Sequence, residues 1–459
     1  MAWLWAGYIA RAAAYFGLIV VLTRELGPAG FGSLSLFLAV TLGVSQVAGS
    51  WPFLAVPVLS AHGRTIAAAF RPSVYVAAMA TAACLVVALP ISYAIQSRAA
   101  ISLSAVVVYS VALVGLQGIF AVQQTEGRMS GIALLQTGDR LLALLLSLAA
   151  VATVSLDVLG AEVLLTVASV ISCAAAFVVI GRRQELFRRP ADGVPDHPVS
   201  TVMDAVGAMG IVSVCSYGVA WADIFILAIF RSNSEVGIYS LAYQVFTFVA
   251  QLGSLWAVAA LPIHARSTAS GQDLADQLPV PRLVAYAGLW AALIGAAAVV
   301  SVVFLPIAFG SEFSDAATPL IVLLAGSGIF AAAYFAILPG LIASGRTRLV
   351  AKVAAVSMII NIALDLILVP RIGILGPALA TAAQSIFGTA ALATVVLGAG
   401  STLRLFAVGS PAVLGMVLLA IDPNSIPLTV LCGLIAAATG LWGVQMMRRA
   451  GGLPTAGHI

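Results

Sequence analysis

The sequence predicts an all-α polytopic membrane protein, with about fourteen transmembrane helices that form two pseudo-symmetric six-helix lobes followed by two C-terminal helices. Of the 459 residues, 62% are hydrophobic and 8% are charged, and the mean hydropathy is +1.12. A soluble domain carries about 25% charged residues, and no water-soluble fold has enough interior to bury so much apolar surface. Apolar runs of about 20 residues recur, the length that crosses a hydrocarbon core of roughly 30 Å. Two short motifs also recur in the two halves of the chain.

Fourteen apolar segments account for the predicted helices. The first segment lacks the basic n-region and the small-residue cleavage site of a signal peptide, so we interpret it as the first span. Proline and glycine inside several segments indicate kinks, because neighbouring helices and water can satisfy the freed carbonyl groups within a bilayer. The predicted spans are 3–22, 33–59, 73–95, 101–122, 131–152, 160–181, 203–230, 236–260, 283–307, 317–341, 349–369, 374–398, 403–421 and 426–446.

Lysine and arginine are distributed unequally among the predicted loops. Fifteen of the 21 lie in the even-numbered loops or the C-terminal tail, and four lie in the odd-numbered loops. Because cytoplasmic loops are enriched in Lys and Arg, both termini are predicted to face the cytoplasm. The remaining two basic residues, Arg11 and Arg140, lie inside predicted spans.

The predicted loops are too short to hold a catalytic domain, and the chain has no Walker loop, H-E-x-x-H or G-x-S-x-G motif. The four cysteines lack metal-binding spacing, and a net charge of +4 does not indicate a nucleic-acid partner. We therefore expect a transporter without a cofactor or metal, not an enzyme. The predicted division is an N-terminal lobe (1–182), a cytoplasmic linker (183–202), a C-terminal lobe (203–398), two accessory helices (399–446) and a cytoplasmic tail (447–459).

Two motifs repeat in the same order in both halves. Glu126-Gly127-Arg128 follows the fourth span, and Ser344-Gly345-Arg346 follows the tenth, 218 residues later. The segment 31–36 opens the second span, and 236–241 opens the eighth, 205 residues later. The repetition predicts a duplicated six-helix unit, an arrangement in which transporters place the substrate site between the two halves.

Arg11, Asp139 and Arg140 are ionisable residues inside predicted spans of the first half. An ionisable side chain at mid-membrane costs at least ~2.5–3.5 kcal/mol on insertion scales, so it usually faces a cavity or a partner. Arg11 lies halfway along the first span, where snorkelling to the headgroups is the alternative to a cavity-facing role. Asp139 and Arg140 lie a third of the way into the fifth span, where a structural ion pair is the alternative to a functional role. A guanidinium group is always charged and suits a phosphate or pyrophosphate.

Aspartates of the second half are candidates for ion coupling. Asp223 lies six or seven residues from the end of its predicted span, where a carboxylate could take up a proton or a sodium ion. Asp204 and Asp365 lie nearer to span ends, where solvation is the simpler interpretation. The candidates for ion coupling or for an acid in the cavity are Asp223, Asp139 and Asp204, with H⁺ or Na⁺ as the ion.

Several motifs together resemble one known family. TRELGPAGFGSLSLFLAV is similar to the first hairpin of the polysaccharide-transport branch of the MATE-like MOP exporter superfamily, whose members flip O-antigen and related lipid-linked oligosaccharides. EVGIYSLAYQVF is similar to the start of that family's eighth helix, and ASGRTRLV with NIALDLILVPRIGILGPALATA is similar to its tenth-to-twelfth helix region. The resemblance extends to about residue 398. WADIFILAIF resembles the family's aspartate-containing seventh helix, which supports Asp223, whereas the family often has asparagine at the position of Asp365.

This resemblance implies a V-shaped pair of six-helix lobes around a central cationic cavity in the bacterial inner (cytoplasmic) membrane. It implies that an undecaprenyl-pyrophosphate-linked oligosaccharide passes from the cytoplasmic to the periplasmic leaflet by alternating access coupled to an ion gradient. We expect Arg11, Arg24 and Arg140 to bind the substrate, with Arg24 at the periplasmic mouth. The expected partners are the lipid-linked oligosaccharide, membrane lipid and other membrane proteins of polysaccharide or lipopolysaccharide assembly.

Two other functions are compatible with a polytopic membrane protein. A drug or cation antiporter of the MATE type would favour an acidic, aromatic cavity, whereas arginines and aspartates occur together inside the predicted spans here. A membrane-embedded glycan polymerase or ligase would need a large periplasmic loop, and the chain has none of that length.

Overall fold

The computed structural model describes residues 2–61, 65–95, 101–181, 198–250 and 280–449. Within these ranges the chain is helical almost throughout and contains no β-strand. The predicted all-α class is therefore confirmed. The helices are α1 (Ala2–Ala61), α2 (Ile66–Ile95), α3 (Leu103–Thr125), α4 (Met129–Thr153), α5 (Val158–Ala176), α6 (Pro198–Phe230), α7 (233–250), α8 (Val280–Phe309), α9 (Ala317–Leu323), α10 (Ile329–Ala343), α11 (Thr347–Ile372), α12 (Leu375–Leu397), α13 (Ala399–Ile421) and α14 (Ile426–Arg449).

Helix α1 contains the first two predicted spans. Its backbone leaves helical geometry at Gly27, where φ is 61° and ψ is 179°, and Pro28 follows directly. The helical segment on each side of Gly27 is longer than the about 20 residues needed to cross a bilayer. The Gly-Pro sequence therefore joins two helices through one kinked residue rather than through a loop.

The described residues include eleven helices that are long and apolar enough to cross a membrane. The helices Ser311–Gly328 and Ala333–Ala343 are bent by 43° relative to each other, and they make a twelfth if the pair is one span. The first of the eleven, Ile9–Ser60, runs across the kink in α1, and the predicted span 236–260 lies partly outside the described residues. The chain is a multi-pass membrane protein, and the number fourteen stays a prediction.

A π-helical turn interrupts the tenth predicted span at Leu324–Gly328. It separates α9 from α10 and is completely buried. The indole nitrogen of Trp290 in α8 donates a 2.7 Å hydrogen bond to the carbonyl oxygen of Gly328. One carbonyl of the π-turn thus accepts a hydrogen bond from a side chain of a neighbouring helix.

The chain divides into two compact units. Unit 1 comprises Met1–Ala228 with Ser232–Gly237, and unit 2 comprises Ile229–Arg231 with Ile238–Ile459. Most of the predicted linker 183–202 and of the predicted tail 447–459 lies outside the described residues. The predicted lobe boundaries therefore stay predictions.

In unit 1, α1 packs against α2, α3 and α4, and α3 packs against α5. Helix α6 also approaches α1, because the hydroxyl group of Tyr217 donates a 2.7 Å hydrogen bond to the carbonyl oxygen of Ala39. Glycine allows this approach: Gly43 lies under the ring of Tyr217, and Gly210 lies under the ring of Trp51.

In unit 2, small residues let helices pack closely. Gly288 of α8 lies against Gly443 of α14, and Gly295 of α8 lies against Ala436 of α14. Packing of this kind stabilises helix pairs in a bilayer, where lipid chains provide no hydrophobic force between helices.

The two repeated Gly-Arg turns have the same backbone structure. Gly127 and Gly345 have φ angles of 69° and 74°, a region that is costly for residues with a Cβ. The amide of Arg128 donates to the carbonyl of Gln123, and the amide of Arg346 donates to that of Leu341, both at 2.9 Å. This is the six-residue hydrogen bond that closes a Schellman motif.

The other repeated motif brings two glycines together inside unit 1. Gly32 and Gly237 occupy equivalent places in the segments 31–36 and 236–241. A Cβ atom at either position would lie 2.9 Å from the backbone nitrogen of the other glycine. It would also overlap a carbonyl oxygen, that of Asn233 or of Pro28 respectively. The two copies of the motif therefore cross backbone to backbone, and both glycines are needed for this approach.

Candidate functional site

A group of polar side chains lies between the helices of unit 1. We call it the N-terminal polar cluster, and its members are Arg11, Tyr15, Tyr109, Gln136, Asp139, Arg140 and Ser169. Its frame is the packing of α1 against α4, which run parallel: the hydroxyl of Thr137 donates a 3.1 Å hydrogen bond to the carbonyl of Gly7, and Gly17 contacts Leu144 further along. Helices α3 and α5 complete the surroundings.

Arg11 is half-buried and forms a hydrogen bond to a neighbouring helix. Its Nη1 atom donates to Oε1 of Gln136 at 2.9 Å, so its guanidinium is directed toward α4. The side chain of Arg11 is thereby held among the helices of unit 1. The snorkelling geometry considered from the sequence would instead direct it to the headgroups.

Arg140 makes contacts on several sides. Its Nε atom lies 3.7 Å from Oδ2 of Asp139, and its side chain is only 14% exposed. The guanidinium carbon lies 5.1 Å from the centroid of the Tyr15 ring, within cation–π range. Arg140 also interacts electrostatically with the fully buried Tyr109. These contacts fix the position of a positive charge between α1, α3 and α4.

Asp139 is buried and is the carboxylate of the cluster. Its Oδ1 atom accepts a 2.8 Å hydrogen bond from the hydroxyl of Ser169 in α5, while Oδ2 lies near Arg140. With Arg11 and Arg140, the cluster contains two guanidinium groups and one carboxylate. It therefore carries an excess of positive charge, which suits an anion such as a phosphate or diphosphate.

The other sequence-predicted site residues lie at different places. Arg24 is exposed, three residues before the kink of α1, and Asp204 is exposed near the start of α6. Asp223 is completely buried in α6, with 0% exposure. The structure thus brings Arg11, Asp139 and Arg140 into one cluster, whereas Arg24 and Asp204 lie on the surface.

Unit 2 contains a second buried polar group. We call it the C-terminal polar cluster, and its members are Ser327, Asn361, Asp365, Thr381, Gln384 and Ser385. The amide of Asn361 donates to the hydroxyl of Thr381 at 3.4 Å, and the hydroxyl of Ser327 donates to the carbonyl of Thr381 at 3.0 Å. Ser385 donates to Ser327 at 3.0 Å, and Gln384 donates to Ser385 at 2.8 Å. Hydroxyl and amide oxygens surround this part of α11 and α12.

Asp365 is a candidate that the sequence interpretation undervalued. It lies one helical turn beyond Asn361 on the same face of α11, and both residues are 0% exposed. The interpretation of Asp365 as a solvated end residue does not fit this burial. The i, i+4 spacing of two polar residues in an apolar helix was the available signal.

The fold and the clusters define a class of protein: a multi-pass helical membrane protein with charged and polar groups enclosed between its spans, as in transporters. The family described as polysaccharide biosynthesis protein matches residues 1–268, more than half of the chain. The chain belongs to this family, as the resemblance of its motifs predicted.

One relative with a named function is the Haloferax volcanii protein "Probable low-salt glycan biosynthesis flippase Agl15". It is 27% identical over 176 residues, which cover 37% of this chain and 36% of the relative. The matched region thus spans about a third of the relative's length.

Solved structures share the fold. The lipid II flippase MurJ in an inward closed conformation has a TM-score of 0.68 and 12% identity, with coverage of 98% of this chain and 99% of MurJ. An inward-facing multidrug resistance MATE family transporter of the MOP superfamily has a TM-score of 0.63 and 14% identity, with coverage of 87% and 98%. At these identities the similarity defines the fold.

Proposed function

We propose that this protein is a flippase that moves a lipid-linked glycan from the cytoplasmic to the periplasmic leaflet of the bacterial inner membrane. Membership of the polysaccharide biosynthesis family supports a glycan as cargo, and the similarity to a named glycan flippase supports transport rather than synthesis. In this proposal the substrate is a polyprenyl diphosphate that carries an oligosaccharide. Its hydrocarbon tail stays in the bilayer while the polar head crosses by alternating access.

The observation that carries the proposal is the N-terminal polar cluster. Arg11 and Arg140 place two guanidinium groups among membrane-spanning helices, where an isolated charge is costly. Bidentate guanidinium groups match the oxygens of a diphosphate. Arg24, exposed near the end of the first helical segment, is suited to contact the same group at the periplasmic mouth, where the substrate leaves.

We further propose that a cation gradient, of H⁺ or Na⁺, drives the cycle. Complete burial supports Asp223 as a carboxylate that binds the cation. Asp365 has the same degree of burial and lies one helical turn from Asn361, and carboxylate and amide oxygens are suitable ligands for a hard cation. The exposed position of Asp204 gives it less support, and Asp139 is engaged with Ser169 and Arg140.

Reconstitution tests the proposed activity. The purified protein and a polyprenyl-diphosphate-linked oligosaccharide are reconstituted together in liposomes. A soluble lectin added outside the vesicles binds glycan on the outer leaflet and so reports the rate of exchange between leaflets. We expect exchange far above that of empty liposomes. Arg11→Gln should slow it by at least about tenfold, since a hydrogen bond to a charged group contributes about 1.5–3 kcal/mol and about 1.4 kcal/mol is tenfold.

Arg404→Gln is the matched control, because Arg404 is exposed on α13 in unit 2. Wild-type exchange at the rate of empty liposomes would overturn the flippase proposal. If the wild type exchanges glycan and Arg11→Gln exchanges it equally fast, the flippase proposal stands and Arg11 is not part of the substrate site. Export of an organic cation such as ethidium, with no glycan exchange, would favour a drug antiporter.

A further inference from the structure

Unit 1 contains an apolar cavity that the proposed diphosphate site does not use. Its volume is about 770 Å³, and it lies between α2, α3 and α5, with Pro52 of α1 at one edge. We call it the α2–α3–α5 groove. All three helices are candidate membrane spans, so the groove lies within the part of the protein that the bilayer surrounds.

The lining of the groove offers almost nothing to a polar ligand. It consists of aliphatic and aromatic side chains and glycine, apart from Thr81 and Cys173. The hydroxyl of Thr81 already donates a 2.7 Å hydrogen bond to the carbonyl of Ala77. Sugars and phosphates would lose their hydrogen bonds to water without replacement, so the chemistry fits a hydrocarbon chain.

The groove is open along one side and narrow. Val74, Val108 and Val111 line it and are 39%, 46% and 53% exposed in unit 1. Gly115 and Gly118 of α3 also line it, and a Cβ atom at Gly115 would lie 2.7 Å from Sγ of Cys173. A chain in the surrounding bilayer can therefore enter sideways.

The inner wall of the groove reaches the N-terminal polar cluster. Cys173 lines the groove and interacts electrostatically with Asp139. Ser169, one helical turn before Cys173 on α5, donates its hydrogen bond to Asp139. The groove at Cys173 therefore lies close to Asp139, whose Oδ2 atom is 3.7 Å from Nε of Arg140.

We propose that the α2–α3–α5 groove binds the polyprenyl chain of the lipid-linked glycan while Arg140 and Arg11 bind its diphosphate. This inference rests on the proposed function and assigns the place of the substrate's tail. The depth of the cluster favours this occupant over a phospholipid. Arg140 lies in the interior of the candidate span Leu134–Thr153, whereas a phospholipid keeps its phosphate at the membrane surface and a flippase substrate carries its diphosphate through the membrane.

Native mass spectrometry of the purified chain tests the groove without requiring transport. The probes are a C55 polyprenyl diphosphate without sugar and phosphatidylglycerol. Ala78 and Ala82 line the groove from α2 and are exposed, so Ala78→Trp and Ala82→Trp should fill it while the fold is kept. Met79→Trp is the matched control, because Met79 is 50% exposed on the same helix outside the groove.

We expect the wild type and Met79→Trp to retain polyprenyl diphosphate in preference to phosphatidylglycerol. Both groove variants should bind it at least tenfold more weakly at unchanged thermal stability. A photoreactive residue at Val111 should then cross-link to the polyprenyl probe in the wild type and not in Ala78→Trp. The groove variants should also slow glycan exchange. If the wild type binds polyprenyl diphosphate but exchanges no glycan, the flippase proposal is overturned and the groove inference is not.

Three results would overturn the groove inference. The first is retention of polyprenyl diphosphate by both tryptophan variants at the wild-type level. The second is equal retention of phosphatidylglycerol by the wild type. The third is a loss of thermal stability in both variants together with no cross-link at Val111 in the wild type.

Discussion

The turns at Gly127 and Gly345 have the same structure, but the helices that follow them carry different chemistry. The turns share positive φ angles and the same hydrogen bonds 218 residues apart. After the first turn, α4 carries Asp139 and Arg140; at the equivalent positions after the second, α11 carries Ser357 and Met358. The duplicated backbone therefore does not dictate the polar interior.

The two polar clusters differ in the charge of their members. The N-terminal polar cluster contains two arginines and one aspartate, whereas the C-terminal polar cluster contains one aspartate among amides and hydroxyls and no basic residue. Arg11 also lacks a counterpart, since the position 205 residues on is Ser216. An anion fits the first cluster and a cation fits the second, as expected if the arginines bind the proposed substrate and Asp365 binds the coupling ion.

The largest expected effect comes from replacing Arg140 of α4 by methionine, the residue at the equivalent position of α11. Arg140→Met leaves the carboxylate of Asp139 buried without its cationic partner, and breaking a buried pair in this way costs about 3–5 kcal/mol. Both side chains are mostly buried, at 14% and 8% exposure, so solvent can restore little of the loss. Thermal denaturation in detergent should show a strongly destabilised variant.

The double variant Asp139→Ser with Arg140→Met is the control, because it copies the pair Ser357–Met358. We expect it to recover most of the stability and to lose glycan exchange. If the single variant were as stable as the double variant, Asp139 and Arg140 would not act as a buried pair. If the double variant kept wild-type exchange, the cationic character of the first cluster would not matter for transport.

The second prediction concerns the close approach of the repeated segments 31–36 and 236–241 at Gly32 and Gly237. Gly32→Ala and Gly237→Ala each place a methyl group against a backbone carbonyl, which cannot move away as a flexible side chain can. Overpacking of this kind costs about 1–3 kcal/mol, and the near-symmetry of the contact predicts similar losses for both variants. Denaturation in detergent measures them, with Gly138→Ala as the control because a Cβ at Gly138 meets open space.

A large loss of stability in only one of the two alanine variants would mean that Gly32 and Gly237 do not make equivalent contacts. No loss for either would contradict the close approach itself.

The third prediction tests whether Asp365 of unit 2 binds the coupling cation. If Asp365 binds the coupling cation, Asp365→Asn should reduce gradient-driven exchange by at least about tenfold, the factor that 1.4 kcal/mol represents, while affinity for polyprenyl diphosphate stays unchanged. Glycan exchange with and without an imposed H⁺ or Na⁺ gradient measures this. Ser357→Ala, on the same buried face of α11, is the matched control.

Weakened binding of polyprenyl diphosphate in Asp365→Asn would place this acid in the anion site instead. Unchanged dependence on the gradient would remove Asp365 from coupling.

Composition and apolar run length were enough to predict the fold class, because they reflect the bilayer, whereas the family was predicted from the resemblance of several motifs to a known one. The sequence also placed Arg11, Asp139 and Arg140 inside helices. It could not predict that Gln136, Tyr15 and Ser169 contact them, because those contacts depend on how α1, α4 and α5 pack. Similarly, Asp365 near the end of a predicted span suggested solvation, and only packing of α11 on α12 buries it.

The smallest expected effect returns to the two shared turns. Gly127→Ala and Gly345→Ala force a Cβ into left-handed backbone geometry, which costs roughly 1–2 kcal/mol per residue, although nothing lies within 4 Å of either Cβ position. Asparagine tolerates this geometry better, so Gly127→Asn and Gly345→Asn should lose less stability than the alanine variants. Denaturation in detergent should give nearly equal losses for the two alanine variants, because φ differs by only a few degrees. Unequal losses would show that each turn's surroundings, rather than its shared backbone, set its contribution to stability.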